Sequence, residues 1–465
     1  MNDQNNELKH VLKTRHVTMI SIGGVIGAGL FVGSGTMITT AGPGALLSYG
    51  IAGLLIVLIM RMLGEMAVVN PDSGSFSTYA HQALGPWAGY TIGWLYWFNW
   101  LIIVAIEATL LGGMVHDWLP SIPIWAASFA FPILLTITNM FSVKAYGEFE
   151  YWLAFIKVSA IVIFLCLGAA IIFGFVPGVK TLDLATFTAN GGFFPHGWMP
   201  VLLNVIFITF SLSGSEVAAI AAGESTNPKK NIIKAINAVV WRLLLFFVGS
   251  VAILVMVIPA GAKDLLKTPY ASVFKLAGLP AAAQIMTVVI FISLLSVLNS
   301  GLYTSSRMIY SLAKKGDAPS FLARVNKRGI PYWALAASVF FAYVFTFSKF
   351  ASPDKLFVFL ADSSGGVTLI MYILIAFSHI RLRRKMEKEN PEKLTVKMWL
   401  FPYLTYATIL VVFAIFIAQV FIDSMRSQFY LTSLLTILVI GSYFLFNYKK
   451  EEPVVQQLEE VKVSE

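Results

Sequence analysis

The stretch "GGVIGAGLFVGSG", from Gly23 to Gly35, places six glycines in the first long apolar run of the chain. A glycine inside a helix costs about 1 kcal/mol relative to alanine. Two interpretations are open from this segment alone. The small residues allow close helix packing of the GxxxG type, with Gly23/Gly27 and Gly29/Gly33 as the pairs, or they interrupt the helix.

Composition assigns the chain to a membrane class. Of its 465 residues, 57% are hydrophobic and only 12% are charged, and the mean hydropathy is +0.77. A soluble protein is usually about 25% charged. Apolar runs of about 20 residues, the length that crosses a lipid bilayer, recur along the sequence. We therefore predict an all-α polytopic membrane protein in which Cys166, the single cysteine, forms no internal disulfide.

The apolar runs give the predicted helix boundaries. We predict about twelve transmembrane helices, at residues 17–39, 44–68, 86–113, 123–142, 150–175, 199–222, 233–259, 281–312, 331–349, 355–380, 399–422 and 428–447. The transmembrane domain is thus expected at 17–447, with a tail at 1–16 and another at 448–465. These short tails are expected to leave no room for a soluble catalytic domain.

The positions of the basic residues indicate the orientation. Most of the 33 Lys and Arg residues fall in segments on the same side as the N-terminus, including "RLRRKMEKENPEKLTVK" at 381–397. By the positive-inside rule, both termini are expected to be cytoplasmic. The protein is expected to be a multi-pass protein of the plasma membrane. The net charge of +9 is therefore mainly a signal of orientation, and no nucleic-acid partner is expected.

A second interruption lies in the sixth predicted helix, where "SLSGSE" at 211–216 breaks the apolar run. If residues 17–175 and 199–380 form two repeats of five helices, the first and sixth helices correspond. Because five is odd, the second repeat is inverted, and 399–447 supplies two extra helices. Paired interruptions of this kind indicate the binding site of a transporter.

A helix broken inside the membrane exposes backbone N–H groups on one side of the break and carbonyl groups on the other. The positive end of the outer half-helix suits a carboxylate. The N–H groups predicted to bind it belong to Ala28, Gly29 and Leu30. The carbonyl groups predicted to face an ammonium group lie near Gly23, Gly24, Phe210 and Ser213.

Several motifs in order resemble the amino acid–polyamine–organocation (APC) superfamily, in particular its bacterial proton-coupled amino acid permeases. They include "TRHVTMISIGGVIGAGLFVGSG" at 14–35, "YGEFEYWLAFIKV" at 146–158 and "NSGLYTSSRMIYSLAKKGDAP" at 299–319. The resemblance implies two inverted five-helix repeats (the LeuT-like fold) plus two C-terminal helices, with helices 1 and 6 discontinuous. It also implies proton-coupled symport of a small amino acid, γ-aminobutyrate or a related one, by alternating access.

The resemblance also implies roles for individual residues. Lys157 matches the lysine that couples transport to protons, and Phe210 matches an aromatic gate. The substrate-binding residues that it implies, or that follow from the two interruptions, are Ile26, Gly27, Ala28, Gly29, Leu30, Phe210, Ser213, Gly214, Glu216 and Glu107.

The ionisable residues inside the predicted helices each have a second interpretation. Lys157 either couples protons or extends to the cytoplasmic interface. Glu107 either binds the amino group of an extended substrate or bonds to a neighbouring helix. Glu216 either has a functional role at the substrate-binding site or stabilises the interrupted segment by an internal hydrogen bond. Asp362 belongs to a gate or to a polar helix contact. Of the run "WLYWFNWL" at 94–101, one or two residues are expected to line a pocket.

Other classes of function remain as alternatives. An amino acid/metabolite exchanger of the same fold or a permease for another amino acid class fits the same pattern, and a channel fits it less well because the polar groups are few and asymmetric. No phosphate-binding loop, metal-ligand spacing or catalytic constellation is present. We therefore expect no enzyme activity, cofactor or metal. The expected partners are an amino acid, the proton and the lipid bilayer.

Overall fold

The computed structural model describes residues 12–72, 74–177, 191–223, 225–259, 261–262, 265, 268–351 and 358–446. Across these residues the secondary structure is helical, apart from one isolated parallel bridge between Leu12 and Ser225. The predicted all-α class is therefore confirmed. The predicted tail at 448–465 lies outside the described residues, as does most of the tail at 1–16.

The helices include two, at Ser75–Leu84 and Pro269–Leu276, that lie between the predicted segments. Their bounds are α1 (Thr14–Gly23), α2 (Ala28–Phe31), α3 (Gly33–Ala41), α4 (Ala45–Val69), α5 (Ser75–Leu84), α6 (Pro86–Trp118), α7 (Ile124–Phe141), α8 (Val143–Ile172), α9 (Met199–Ser211), α10 (Val217–Gly223), α11 (Pro228–Arg242), α12 (Gly249–Val257), α13 (Pro269–Leu276), α14 (Pro280–Lys314), α15 (Tyr332–Ala351), α16 (Val358–Glu389), α17 (Tyr403–Ala418) and α18 (Asp423–Phe446). Short 3₁₀ or π turns join some of them, and every predicted segment overlaps at least one helix.

Within the described ranges, nine helical segments are long and apolar enough to cross a membrane, and two shorter apolar helices lie at Met199–Thr209 and Leu245–Val257. The longest segment, Ala28–Val69, has 42 residues and would extend about 63 Å if it were straight. That is twice the thickness of a bilayer core. The segment therefore contains more than one helix, and the chain turns between α3 and α4 at Gly42, whose φ of 61° is a conformation that glycine adopts readily. How often the chain crosses the membrane stays a prediction.

The centre of the bundle is formed by α6 and α14, whose middle turns are almost entirely buried. Trp100 and Tyr303 are among the largest fully buried side chains. By contrast, α18 exposes large apolar side chains, including Ile437 (66% exposed) and Leu438 (61% exposed). This distribution suits a molecule whose outer helices contact lipid.

A buried ion pair joins α4, α16 and the segment that precedes α17. Arg383 Nη1 lies 2.7 Å from Glu65 Oε1, and the Met398 N–H donates to Glu65 Oε2 at 2.6 Å. Arg383 also contacts Glu387, whose side chain is 44% exposed. The same arginine therefore has one buried and one exposed carboxylate partner.

We expect Glu65→Ala to lower the free energy of unfolding by about 3–5 kcal/mol, because it leaves a buried guanidinium without its main partner. Glu387→Ala is the matched control, and its effect should be much smaller because exposed ion pairs contribute little. Thermal unfolding of the two purified variants in detergent measures the difference. Equal shifts in melting temperature would show that the buried pair does not stabilise this end of the bundle.

Candidate functional site

The two interrupted helices lie side by side and run antiparallel. At one end, the Thr226 N–H donates to the Leu12 carbonyl at 3.2 Å, so the chain entering α1 meets the chain leaving α10. At the other end, Asn204 Nδ2 in α9 donates to the Met37 carbonyl in α3 at 2.9 Å. The path from α1 to α3 therefore runs opposite to the path from α9 to α10, as an inverted repeat requires.

The first break comprises residues 24–27, between the end of α1 and the start of α2. The N–H groups of Ala28 and Gly29 lie at the N-terminus of α2, where the helix dipole favours an anion. The third predicted donor does not remain free: the Leu30 N–H donates to the Gly27 carbonyl at 3.2 Å. This corrects the prediction for Leu30, because a tight first turn uses that group inside the helix.

The second break comprises residues 212–216, between α9 and α10. Gly214 has a φ of 103°, a backbone conformation that glycine adopts readily and other residues rarely do. Both carboxyl oxygens of Glu216 accept from the Gly214 N–H at 3.1 Å, and the Ser213 hydroxyl donates to one of them at 3.4 Å. The Glu216 side chain thus folds back onto the break. This contact matches the alternative in which Glu216 stabilises the interrupted segment by an internal hydrogen bond.

The two breaks meet in the middle of the bundle. A Cβ atom added to Gly214 would lie 3.0 Å from the Gly24 carbonyl oxygen, and one added to Gly29 would lie 2.7 Å from the Ser211 Cβ. The backbones approach this closely only because these positions carry no side chain. The glycines therefore serve both interpretations of the opening stretch, since they interrupt the helix and allow the two breaks to touch.

The side chain of Lys157 lies behind the first break. Its Nζ donates to the carbonyl oxygens of Gly23 at 2.5 Å and Ile26 at 3.3 Å and to the Ser296 hydroxyl at 2.8 Å. Lys157 is 0% exposed. Its side chain therefore does not extend to the cytoplasmic interface. The ammonium group caps the negative end of α1. The Gly23 carbonyl, which was predicted to face a substrate ammonium group, faces the ammonium group of Lys157 in this structure.

A second buried ionisable group, which was not predicted from the sequence, bonds to the same Ser296 hydroxyl as Lys157. Glu150, also 0% exposed, accepts from the Ser296 hydroxyl through Oε1 and from Asn299 Nδ2 through Oε2 at 3.2 Å. Glu150 precedes Lys157 by seven residues in α8 and thus lies on the same helix face. That spacing is the signal that could have identified it.

A cavity of about 260 Å³ opens beside the two breaks. Backbone of the first break lines it, together with Glu107, Ser211 and Ser213. The remaining walls are largely apolar and include Tyr49, Trp100, Ile103, Phe207 and Val297. Trp100 is the member of the run at 94–101 that lines the cavity.

The carboxyl group of Glu107 faces the positive end of α2. The Ala28 N–H approaches Glu107 Oε1 at 3.5 Å, whereas Oε2 is buried and has no hydrogen-bond partner in the part of the chain described. Glu107 thus belongs to the cavity rather than to the outer interface. An unpaired buried oxygen carries a large desolvation cost, so a ligand that donates a hydrogen bond there is favoured.

The predicted residues thus divide into two groups. Those that line the cavity are Gly24, Gly27, Ala28, Gly29, Glu107 and Ser213; those that lie beside or behind it are Ile26, Leu30, Gly214, Glu216 and Lys157. The side chains of Phe210 and Asp362 lie outside the described parts of the structure.

Comparisons with known proteins find a matching family and full-length relatives. The family model for amino acid permeases matches residues 16–456. The γ-aminobutyric acid permease of Bacillus subtilis (strain 168) is 51% identical over 463 residues, covering 98% of this chain and 99% of the relative. That of Escherichia coli (strain K12) is 45% identical over 438 residues, 94% of each chain.

A solved structure shows the same fold at low sequence identity. The manganese transporter of Eremococcus coleocola, crystallised with an aromatic bis-isothiourea compound, aligns with a TM-score of 0.53 and 14% identity, over 96% of this chain and 97% of that one. Identity this low supports the fold alone. On the family match and the two full-length relatives, the chain belongs to the amino acid permease family.

Proposed function

We propose that this protein is a secondary active transporter that carries a small amino acid, γ-aminobutyrate or a close relative, into the cell together with a proton. The observation that carries the proposal is the cavity at the meeting point of the two breaks. It offers N–H groups of α2 and an unpaired oxygen of Glu107 to one small ligand. The names of the two γ-aminobutyric acid permeases support the choice of substrate.

In this proposal the substrate carboxylate binds the N–H group of Gly29 at the positive end of α2 and displaces Glu107 Oε1 from its long contact with the Ala28 N–H. The substrate ammonium group binds Glu107, whose carboxylate complements it. The apolar walls, among them Ile103 and Val297, enclose the methylene groups. The cavity is smaller than the 300–1,000 Å³ typical of drug-sized ligands, which favours a short substrate.

Lys157 is the proposed coupling group. Its ammonium form holds the carbonyls of Gly23 and Ile26 and so fixes the end of α1. Loss of the proton removes the charge that caps these carbonyls and weakens that hold. A proton taken up from outside and released inside would thus alternately fix and free α1, which is the coupling that alternating access requires.

We place both termini in the cytoplasm, because the basic segments, including 381–397, are predicted to lie on the side of the N-terminus, and we place the protein in the plasma membrane. The proposed repeats, 17–175 and 199–380, are supported by the antiparallel course of the two interrupted helices. The two additional helices proposed within 399–447 correspond to α17 and α18.

Uptake by reconstituted vesicles tests this function. With an imposed proton gradient, acidic outside, labelled γ-aminobutyrate should accumulate above its external concentration, and a protonophore should abolish the accumulation. An exchanger would instead show only counterflow that is independent of the gradient. Uptake that does not saturate with concentration would indicate a channel.

Glu107→Gln should lower the apparent affinity for γ-aminobutyrate by about tenfold or more, because a hydrogen bond to a charged group contributes about 1.5–3 kcal/mol. Competition by alanine is measured alongside, because a loss confined to γ-aminobutyrate would assign Glu107 to the recognition of its distant amino group. Thr109→Val is the matched control: Thr109 lies on the same helix but bonds to the Ala105 carbonyl. An equal loss of apparent affinity for both substrates would show that Glu107 does not discriminate between them.

A further inference from the structure

Two buried ionisable groups of opposite charge lie on one face of α8 and share a single hydroxyl group. Glu150 and Lys157 are both 0% exposed, and their Cα atoms are separated by about 10.5 Å along the helix axis. Ser296 of α14 lies between them. It accepts a hydrogen bond from Lys157 Nζ at 2.8 Å and donates one to Glu150 Oε1.

The Glu150 carboxyl group is held firmly by neutral donors. Asn299 Nδ2 donates to Oε2 at 3.2 Å, and Asn299 Oδ1 in turn accepts from Asn139 Nδ2 at 2.8 Å. These contacts fix the direction of Oε1 towards Ser296. A continuous hydrogen-bonded chain therefore runs from the ammonium group through one hydroxyl group to the carboxylate.

We infer that Glu150 is the residue that receives the transported proton from Lys157 during transport. An N–H bond of the ammonium group breaks and its proton passes to the Ser296 oxygen. The original hydroxyl proton of Ser296 passes to Glu150 Oε1. The lysine becomes a neutral amine, the glutamate becomes a neutral acid, and the serine is unchanged. This inference rests on the proposed proton coupling and names the next residue on the path.

Two physical arguments favour this step. A buried ion pair carries a desolvation cost of several kcal/mol for each ion, and the transfer converts both members into neutral groups. It also removes the cation that holds the Gly23 and Ile26 carbonyls, so the proton movement and the release of α1 become one event.

The position of Glu150 gives the transfer a direction. The start of α8 lies beside the start of α1, where Glu148 contacts His16 Nε2 at 2.9 Å. Glu150 is thus closer than Lys157 to the end of the bundle that we place in the cytoplasm. One turn nearer that end, the Tyr146 hydroxyl lies 3.3 Å from the Ser300 hydroxyl, which extends the polar path in the same direction.

The test compares three variants in vesicles that carry out both proton-driven accumulation and substrate counterflow. In Glu150→Gln and Ser296→Ala, the ratio of accumulation to counterflow should fall at least tenfold, and the pH dependence of uptake should flatten. Ser293→Ala is the matched control. Ser293 lies one turn earlier on α14, is also 0% exposed, and its hydroxyl has no hydrogen-bond partner among the described residues. This variant should keep the ratio within twofold of the parent.

A purely structural role for Glu150 would lower accumulation and counterflow together and leave both the ratio and the pH profile unchanged, and that result would overturn the inference. If Glu150→Gln does not fold, Ser296→Ala decides, since an unchanged ratio there means that the hydroxyl carries no proton. The proposed function fails in a different way: the parent protein would show no proton-driven accumulation at all.

Discussion

Replacement of Lys157 by methionine should reduce the accumulation of substrate to its equilibrium level under a proton gradient. Methionine keeps an unbranched apolar side chain that is one atom shorter and removes the ammonium group. The carbonyls of Gly23 and Ile26 then lose their donor, and Glu150 becomes a buried carboxylate without a nearby cation. Removal of one partner from a buried charge network typically lowers the free energy of unfolding by about 3–5 kcal/mol. The loss of an exposed ion pair costs much less.

The matched control is Lys144→Met, which removes an exposed ammonium group near the start of the same helix. We expect this variant to accumulate substrate like the parent. Both proteins are compared in the same vesicles at several external pH values, with counterflow as the measure of correctly folded carrier. Proton-dependent accumulation by Lys157→Met would contradict the coupling role of Lys157.

Gly29→Ala should have the second largest effect, a loss of substrate affinity of more than tenfold together with a lower melting temperature. The added Cβ would lie 2.7 Å from the Ser211 Cβ and 3.0 Å from the Ser211 Cα. Because that contact is partly with backbone, α2 and α9 must separate, and the N–H group of Gly29 must move away from the bound carboxylate. Binding of labelled γ-aminobutyrate to the purified protein measures the loss.

Gly50→Ala provides the comparison for this prediction, since a Cβ atom added to Gly50 in α4 would meet nothing within 4 Å. Alanine also stabilises a helix interior relative to glycine by about 0.5–1 kcal/mol. The control should therefore bind substrate normally and unfold at the same or a slightly higher temperature. If Gly29→Ala behaved in the same way, the close contact between the two breaks would not matter for the site.

The long apolar helices and the two breaks could be predicted from the sequence because their signals are local. Apolar runs of membrane length mark the helices, and the glycines of 23–35 and the serines of 211–216 mark the breaks. The physical reason is that unsatisfied backbone groups are tolerated in a membrane only where protein or a cavity shelters them. Few residue types therefore occur at such positions.

The partners of individual groups could not be predicted, because they depend on residues far away in the chain. Lys157 reaches the Gly23 carbonyl across 134 positions, and Ser296 reaches Glu150 across 146. Glu107 was identified as a candidate because it is a charge within an apolar helix. Its contact with the Ala28 N–H required the packing of α6 against the first break.

A crystal structure of this protein with γ-aminobutyrate bound would show whether the two interrupted helices hold the two charged ends of a small substrate. We expect a carboxylate oxygen within about 2.7–3.2 Å of the Ala28 or Gly29 nitrogen and the substrate nitrogen beside Glu107. Continuous helices through Ala28 and Ser213, or a ligand bound away from this cavity, would contradict this expectation.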